Sequence, residues 1–124
     1  MIAYISGHLD IHDDEFLEHY VPKIKDAIVK GHSFVVGDAR GTDKFAQDFL
    51  GNFMAEDEVV VYHMFQKPRN NKPCFNTKGG FKSDEERDVA MTAASDYDIA
   101  WVRPGREKSG TAKNLARRTN AKPN

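Results

Sequence analysis

Apolar positions along this chain switch between two periods: short solid runs and stripes at helical spacing. The run Met1–Ser6 (MIAYIS) predicts a short buried strand. From Asp13 to Lys30, Phe16, Leu17, Tyr20, Val21, Ile24, Ala27 and Ile28 mark one face of a helix. Asp13, Asp14 and Glu15 suit its positive end. Pro22 removes a backbone donor within that stretch, so a kink or restart is expected near Tyr20–Pro22, and Gly31 is placed to end the helix. Ser33–Gly37 reads as a second strand. Thr42–Gly51 reads as a second helix with Phe45, Ala46, Phe49 and Leu50 facing in. Glu58–His63 (EVVVYH) is the third strand.

Residues 64–82 then show no period and contain Pro68, Pro73, Gly79 and Gly80, which predicts a long loop. Met64, Phe65, Phe75 and Phe81 argue that this loop is ordered, and it is a lid candidate. Ser83 and Glu86 form an S-x-x-E capping box that opens a third helix, running to about Ser95. Tyr97–Val102 (YDIAWV) is the fourth strand, with Ile99 and Trp101 in the core, and Ser109–Arg118 the last helix.

Nearly all-apolar strands that alternate with helices predict the α/β class. The expectation is a Rossmann-like three-layer sandwich with a mainly parallel sheet of four to five strands. It occupies one domain over 1–119, followed by a flexible tail over 120–124.

Composition narrows the function classes. The net charge of -1 argues against a nucleic-acid binder, although Arg103–Asn124 holds seven Lys or Arg against one Glu. The bland account of that basic end is a solvated helix and a frayed tail. A single cysteine, Cys74, allows no internal disulfide and no Cys-based zinc site, which sets a reducing, cytoplasmic expectation. The opening apolar run is too short for a signal peptide or a membrane span.

In doubly wound folds, ligands bind at the carboxyl ends of the strands. Those ends read Ser6-Gly7-His8, Gly37-Asp38-Ala39-Arg40-Gly41-Thr42-Asp43, His63, and Arg103-Pro104-Gly105 leading to Ser109-Gly110-Thr111. Three of them place glycines and hydroxyls ahead of a helix, whose free N–H groups attract anions. Thr42, Asp43, Ser109 and Thr111 also have a simpler role as helix caps. Arg87 opposes the dipole of the third helix, so it calls for an acidic partner, such as Asp38, Asp84 or Asp88, or for a bound anion. His8, Asp10 and His12 are metal-ligand types without a zinc spacing, and no metal or cofactor is expected. His63 reads as a satisfied polar residue and His19 as a surface one. Tyr62, Met64 and Phe65 are candidates for a contact between copies of the chain.

The stretch VVGDARGTDKFAQDFL resembles the strand, Gly-x-x-x-Gly-x-Asp turn and helix of the SLOG superfamily of Rossmann-like proteins. That superfamily includes Lonely-guy phosphoribohydrolases and the DNA-processing protein A domain. RDVAMTAASDYDIAWVRPGREKSGTAKNLARR resembles its second signature, an Arg before a helix and a Gly-Thr turn that starts the last one. The resemblance implies a nucleotide-derived ligand among Ser6, Gly7, His8, Gly37, Arg40, Gly41, Thr42, Arg87, Pro104, Gly105, Ser109, Gly110 and Thr111. Enzymatic relatives, and the similar nucleoside deoxyribosyltransferases, cleave N-glycosidic bonds and carry a Glu shortly after Gly-Thr. Asn114 stands at that place here, and an amide cannot act as a carboxylate nucleophile or base.

Two readings follow. One is nucleotide binding, with phosphate at the helix starts after the second and fourth strands. The other is N-glycoside hydrolysis or transfer on a nucleoside monophosphate or deoxynucleoside, with Asp38, Asp43 or Asp88 supplying the carboxylate.

Overall fold

The computed structural model describes residues 1–71 and 73–121, with the side chains of 120 and 121 left aside. The elements are β1 (Ile2–Ile5), α1 (Asp13–His19), α2 (Val21–Val29), β2 (Ser33–Gly37), α3 (Thr42–Leu50), β3 (Val59–Met64), β4 (Asn76–Phe81), α4 (Asp84–Ala94), β5 (Tyr97–Ile99) and α5 (Gly110–Ala121). The strands form one sheet in the order β4-β3-β2-β1-β5, and every pairing is parallel. This is the expected Rossmann-like three-layer α/β fold. Of the tail expected over 120–124, residues 120 and 121 continue α5, and the rest lie outside the described residues.

Alternation along each strand divides the core in two. Ala3, Ile5, Phe34, Val36, Val59 and Val61 point to one face, where they meet Phe16, Ile24, Ala27, Ala46 and Leu50 from α1, α2 and α3. Tyr4, Val35 and Tyr62 point to the other face and meet Met91 of α4. The helix breaks where Pro22 predicts: Tyr20 ends α1 and begins α2, with the proline in the first turn of the new helix. Gly31 adopts a positive φ of 76°, Gly31 N donates to Ile28 O and His32 N to Ala27 O, the paired bonds of a Schellman end. Ser83 Oγ accepts from Glu86 N at 3.1 Å as the capping box requires, but the Glu86 carboxylate accepts from Lys82 N instead of Ser83 N.

The loop expected over 64–82 is overturned in its second half. Residues 76–81 are edge strand β4, paired with β3. Its sequence, NTKGGF, has no alternation because an exposed edge has no buried face to pattern. Gly79 is a real requirement there, since a side chain would collide with the His63 ring. The crossover from β3 to β4 has no helix among the described residues. It is tied down by polar side chains: Asn71 both donates to Phe75 O and accepts from Phe75 N, and Gln47 donates to Asn70 O.

The strand expected over 97–102 is also shorter, ending at Ile99. Beyond that point the backbone turns from the sheet to side-chain acceptors: Trp101 N donates to Tyr20 Oη and Arg103 N to His8 Nε2. Trp101 is therefore half-buried outside the strand, and it stacks on His19 with ring centroids 4.0 Å apart.

Candidate functional site

The chain moves from β1 through β4 in one direction across the sheet and then returns to place β5 on the other side of β1. Segments leaving the carboxyl ends on either side of that switch diverge, and a crevice opens between them. The crevice has a volume of about 550 Å³. It brings together Ser6, Gly7 and His8 after β1, Arg40 and Asp43 after β2, Arg87 and Asp88 on α4, and Ser109, Gly110 and Thr111 at the start of α5. All ten are residues that the sequence singles out. It also recruits Tyr4, Leu9, Asp10, Ala39, Arg69, Asp84, Arg106 and Asn114.

Six expected ligand or catalytic residues do not line the cleft. Asp38 is fully buried beneath it, at 0% exposure, and its carboxylate is taken up by two arginines. Arg69 donates to it from its backbone N, Nε and Nη2, and Arg87 Nη1 donates at 2.8 Å. Burial pushes the Asp38 carboxyl up, but the hydrogen bonds and charges of Arg69 and Arg87 prevail and hold it below its ordinary value. Gly37 lies beneath the same network: a side chain there would approach Asp43 Oδ2 to 2.5 Å.

Gly41 and Thr42 form the joint with the β1 end. Gly41 has φ 75°, and a side chain on it would strike the carbonyls of His8 and Leu9. Thr42 donates both its N, at 3.2 Å, and its Oγ1, at 3.0 Å, to His8 O. Pro104 and Gly105 stand away from the cleft on the outer part of the β5–α5 segment, Gly105 in a separate shallow depression with 106–109.

The Asp–Arg cluster below the cleft explains Arg87 without an anion. Its guanidinium meets Asp38, Asp84 and Asp88 at 2.8, 3.1 and 3.0 Å. Asp43 is the unusual member. Its Oδ2 accepts from Ala39 N at 3.1 Å, turning the carboxylate back onto its own loop. It is 8% exposed and borders the cleft. Burial, reinforced by the charges of Asp88 and Asp38 and opposed by Arg87 and the Ala39 hydrogen bond, pushes its pKa up to about 7. Burial likewise raises Tyr4, helped by the charges of Asp88 and Asp43, so its phenol stays protonated. Asn114 Nδ2 donates to Tyr4 Oη at 3.0 Å, so the amide at the position of the expected Glu orients this phenol.

The start of α5 differs. Ser109 Oγ accepts from Ala112 N at 3.2 Å as a cap. The first N–H groups of a helix have no intrahelical acceptor, so Gly110 and Thr111 present theirs at the cleft. Ser6 lines the same cleft; its Oγ is buried, the residue 5% exposed, and has no hydrogen-bond partner among the described residues. His8 and Asp10 serve the scaffold: His8 Nε2 accepts from Arg103 N, and Asp10 pairs with Arg103 and Arg106. Among the described residues no group of three His, Cys, Asp or Glu could hold a metal.

Tyr4 is in the core as a buried strand predicts, at 1% exposure, but it also borders the cleft, which the sequence reading did not anticipate. Strand alternation puts Tyr4 and Ser6 on the same side, and that was the available signal. Arg69 and Arg106 carried no local signal, since their place depends on how the loops fold back.

Of the basic carboxyl end, Arg106, Lys108 and Lys113 are exposed, whereas Arg117 and Arg118 are partly buried and paired within the fold. Arg118 bonds Asp98, Ser95 and Thr92, and Arg117 contacts Asn114 and Glu85. Among the described residues no helix is long and apolar enough to cross a membrane.

Fold and site together define the class: a Rossmann-like α/β protein with a polar cleft at its topological switch. No family model, curated protein or solved structure matches the chain.

Proposed function

We propose that the cleft binds a nucleotide or nucleotide derivative, as the resemblance to the SLOG superfamily implies, and that of the two expected phosphate positions the start of α5 is the one used. The observation that carries this reading is Ser6 Oγ, a buried hydroxyl without a partner. A buried unsatisfied polar group costs stability, and one that lines the same cleft as the free N–H groups of a helix start would be complemented by an oxyanion. Arg40 supports the assignment: it is exposed at the cleft, and no hydrogen bond or ion pair engages it among the described residues. The α3 end is a poorer phosphate position, because Thr42 already donates to His8 O. Asp43 and Asp88, which line the cleft, would accept from sugar hydroxyls or from a base amine.

A second reading, N-glycosidic cleavage, is favoured by the Asp43 carboxyl near pH 7, the range in which general acids and bases operate. Asp88 would then stabilise the oxocarbenium-like sugar.

Mass spectrometry of the protein mixed with a panel of nucleotides and deoxynucleotides separates the two. Retained, intact nucleotide is the expected result. Released free base would establish cleavage, and neither ligand nor free base would overturn both readings.

A further inference from the structure

Arg106 lies on the segment that leads into α5, and its Nη2 donates to Asp10 Oδ2 at 2.5 Å. Asp10 comes from the other wall, after β1, and both residues line the cleft beside Ser109, Gly110 and Thr111. The pair thus joins the β1 end to the segment that leads into α5 at the edge of the cleft.

The backbone under Arg106 is fixed. Arg103 anchors the segment through its N to His8 Nε2 at 2.9 Å and through Nε and Nη2 to Glu15 at 3.0 and 2.6 Å. Two successive turns, Arg106 N to Arg103 O and Ser109 N to Arg106 O, then carry the chain to α5. The side-chain pair itself is solvated, Arg106 being 44% and Asp10 54% exposed, and Asp10 also meets Arg103 Nη1 at a longer 3.3 Å. An exposed ion pair contributes little and is readily exchanged. Arg69 and Arg87, by contrast, are held by Asp38 and Asp84, and Arg87 by Asp88 as well.

We propose that Arg106 is the clamp for the ligand's anionic group, and that Asp10 occupies it in the ligand-free protein as an internal stand-in for that anion. This rests on the phosphate reading of the α5 start. A phosphate offers the guanidinium two oxygens in place of a solvated carboxylate. Ligand binding therefore breaks the Asp10–Arg106 pair, and Asp10 sets the affinity without touching the ligand.

The test is a titration of the ¹⁵N-labelled full chain with inorganic pyrophosphate, read at the Gly110 and Thr111 amides. The chains are wild type, Asp10→Asn, Arg106→Gln and the double variant. Asp10→Asn is expected to tighten binding about threefold, as loss of an exposed competing pair implies. Arg106→Gln is expected to weaken it about tenfold. In the Arg106→Gln background the effect of Asp10→Asn should vanish. The same tightening in that background would show bulk charge at work and overturn the clamp. Equal affinity in all four chains would overturn it too, with the phosphate reading intact. No response at Gly110 or Thr111 in any chain would overturn both.

Discussion

The turns that lead into α3 and α5 look alike on paper, each a glycine-bearing segment with hydroxyls ahead of a helix, yet they are used differently. In the α3 turn almost every group is engaged within the fold. Asp38 holds two arginines, Gly41 lies against the His8–Leu9 backbone, Thr42 donates twice to His8 O, and Asp43 folds back onto Ala39 N. In the α5 turn the segment is anchored at Arg103 and capped by Ser109, and Gly110 stays open: a side chain there would meet no described atom within 4 Å. A glycine-rich turn before a helix therefore has two uses, as a joint between strand ends or as a seat for a ligand. Which one applies is decided by whether neighbouring carbonyls reach its donors first.

The largest expected difference between the regions is in stability. Arg87→Met removes the buried cation on which Asp38 and Asp88 depend and should cost about 3–5 kcal/mol in urea unfolding, as broken buried pairs do. Arg40→Ala, on the exposed rim, should change stability by less than about 0.5 kcal/mol and weaken nucleotide binding instead. Comparable losses in both variants would erase the distinction between network and rim.

Glycine replacement sharpens the same contrast. Gly41→Ala places a side chain at φ 75° against two carbonyls and should cost roughly 1–3 kcal/mol. Gly110→Ala should leave the melting temperature almost unchanged while crowding the ligand. A Gly110→Ala loss as large as that of Gly41→Ala would show the α5 turn to be a structural joint as well.

A smaller, pH-dependent difference belongs to Asp43. Its folded pKa of about 7 lies above the ordinary 3.8. Between those values the folded chain keeps a proton that the unfolded chain loses. The Asp43 contribution is therefore full below pH 4 and falls as pH rises through 7. Asp43→Asn, whose amide oxygen can still accept from Ala39 N, should be more stable than wild type by about 1–2 kcal/mol at pH 8 and nearly equal at pH 4. Denaturant midpoints at the two pH values check this. An equal effect at both would exclude a titrating Asp43.

Period and punctuation made most of the fold legible. The strands and helices with a buried face were readable, and so were the Pro22 break and the Gly31 end. Strand β4 was not, because its residues pair through backbone and bury no side-chain face. The site was legible wherever a strand end met a helix start: eight of the lining residues were named from that rule, and Arg87 and Asp88 from the dipole of α4. It could not separate Asp38 from Asp43, neighbours in one turn of which one lies under the network and the other borders the cleft. That difference comes from Arg69 and Arg87, which arrive from distant parts of the chain.

The account turns on Ser6 Oγ as a group awaiting a ligand, and calorimetric titration of a nucleoside monophosphate into wild type and Ser6→Ala tests it most directly. Removing a buried hydroxyl that has no partner should leave the melting temperature unchanged or raise it slightly. The same change should weaken binding about fivefold or more, the worth of one hydrogen bond to a charged group. Equal affinity in the two proteins, or a loss of stability without a loss of binding, would contradict the assignment of the cleft floor to the ligand.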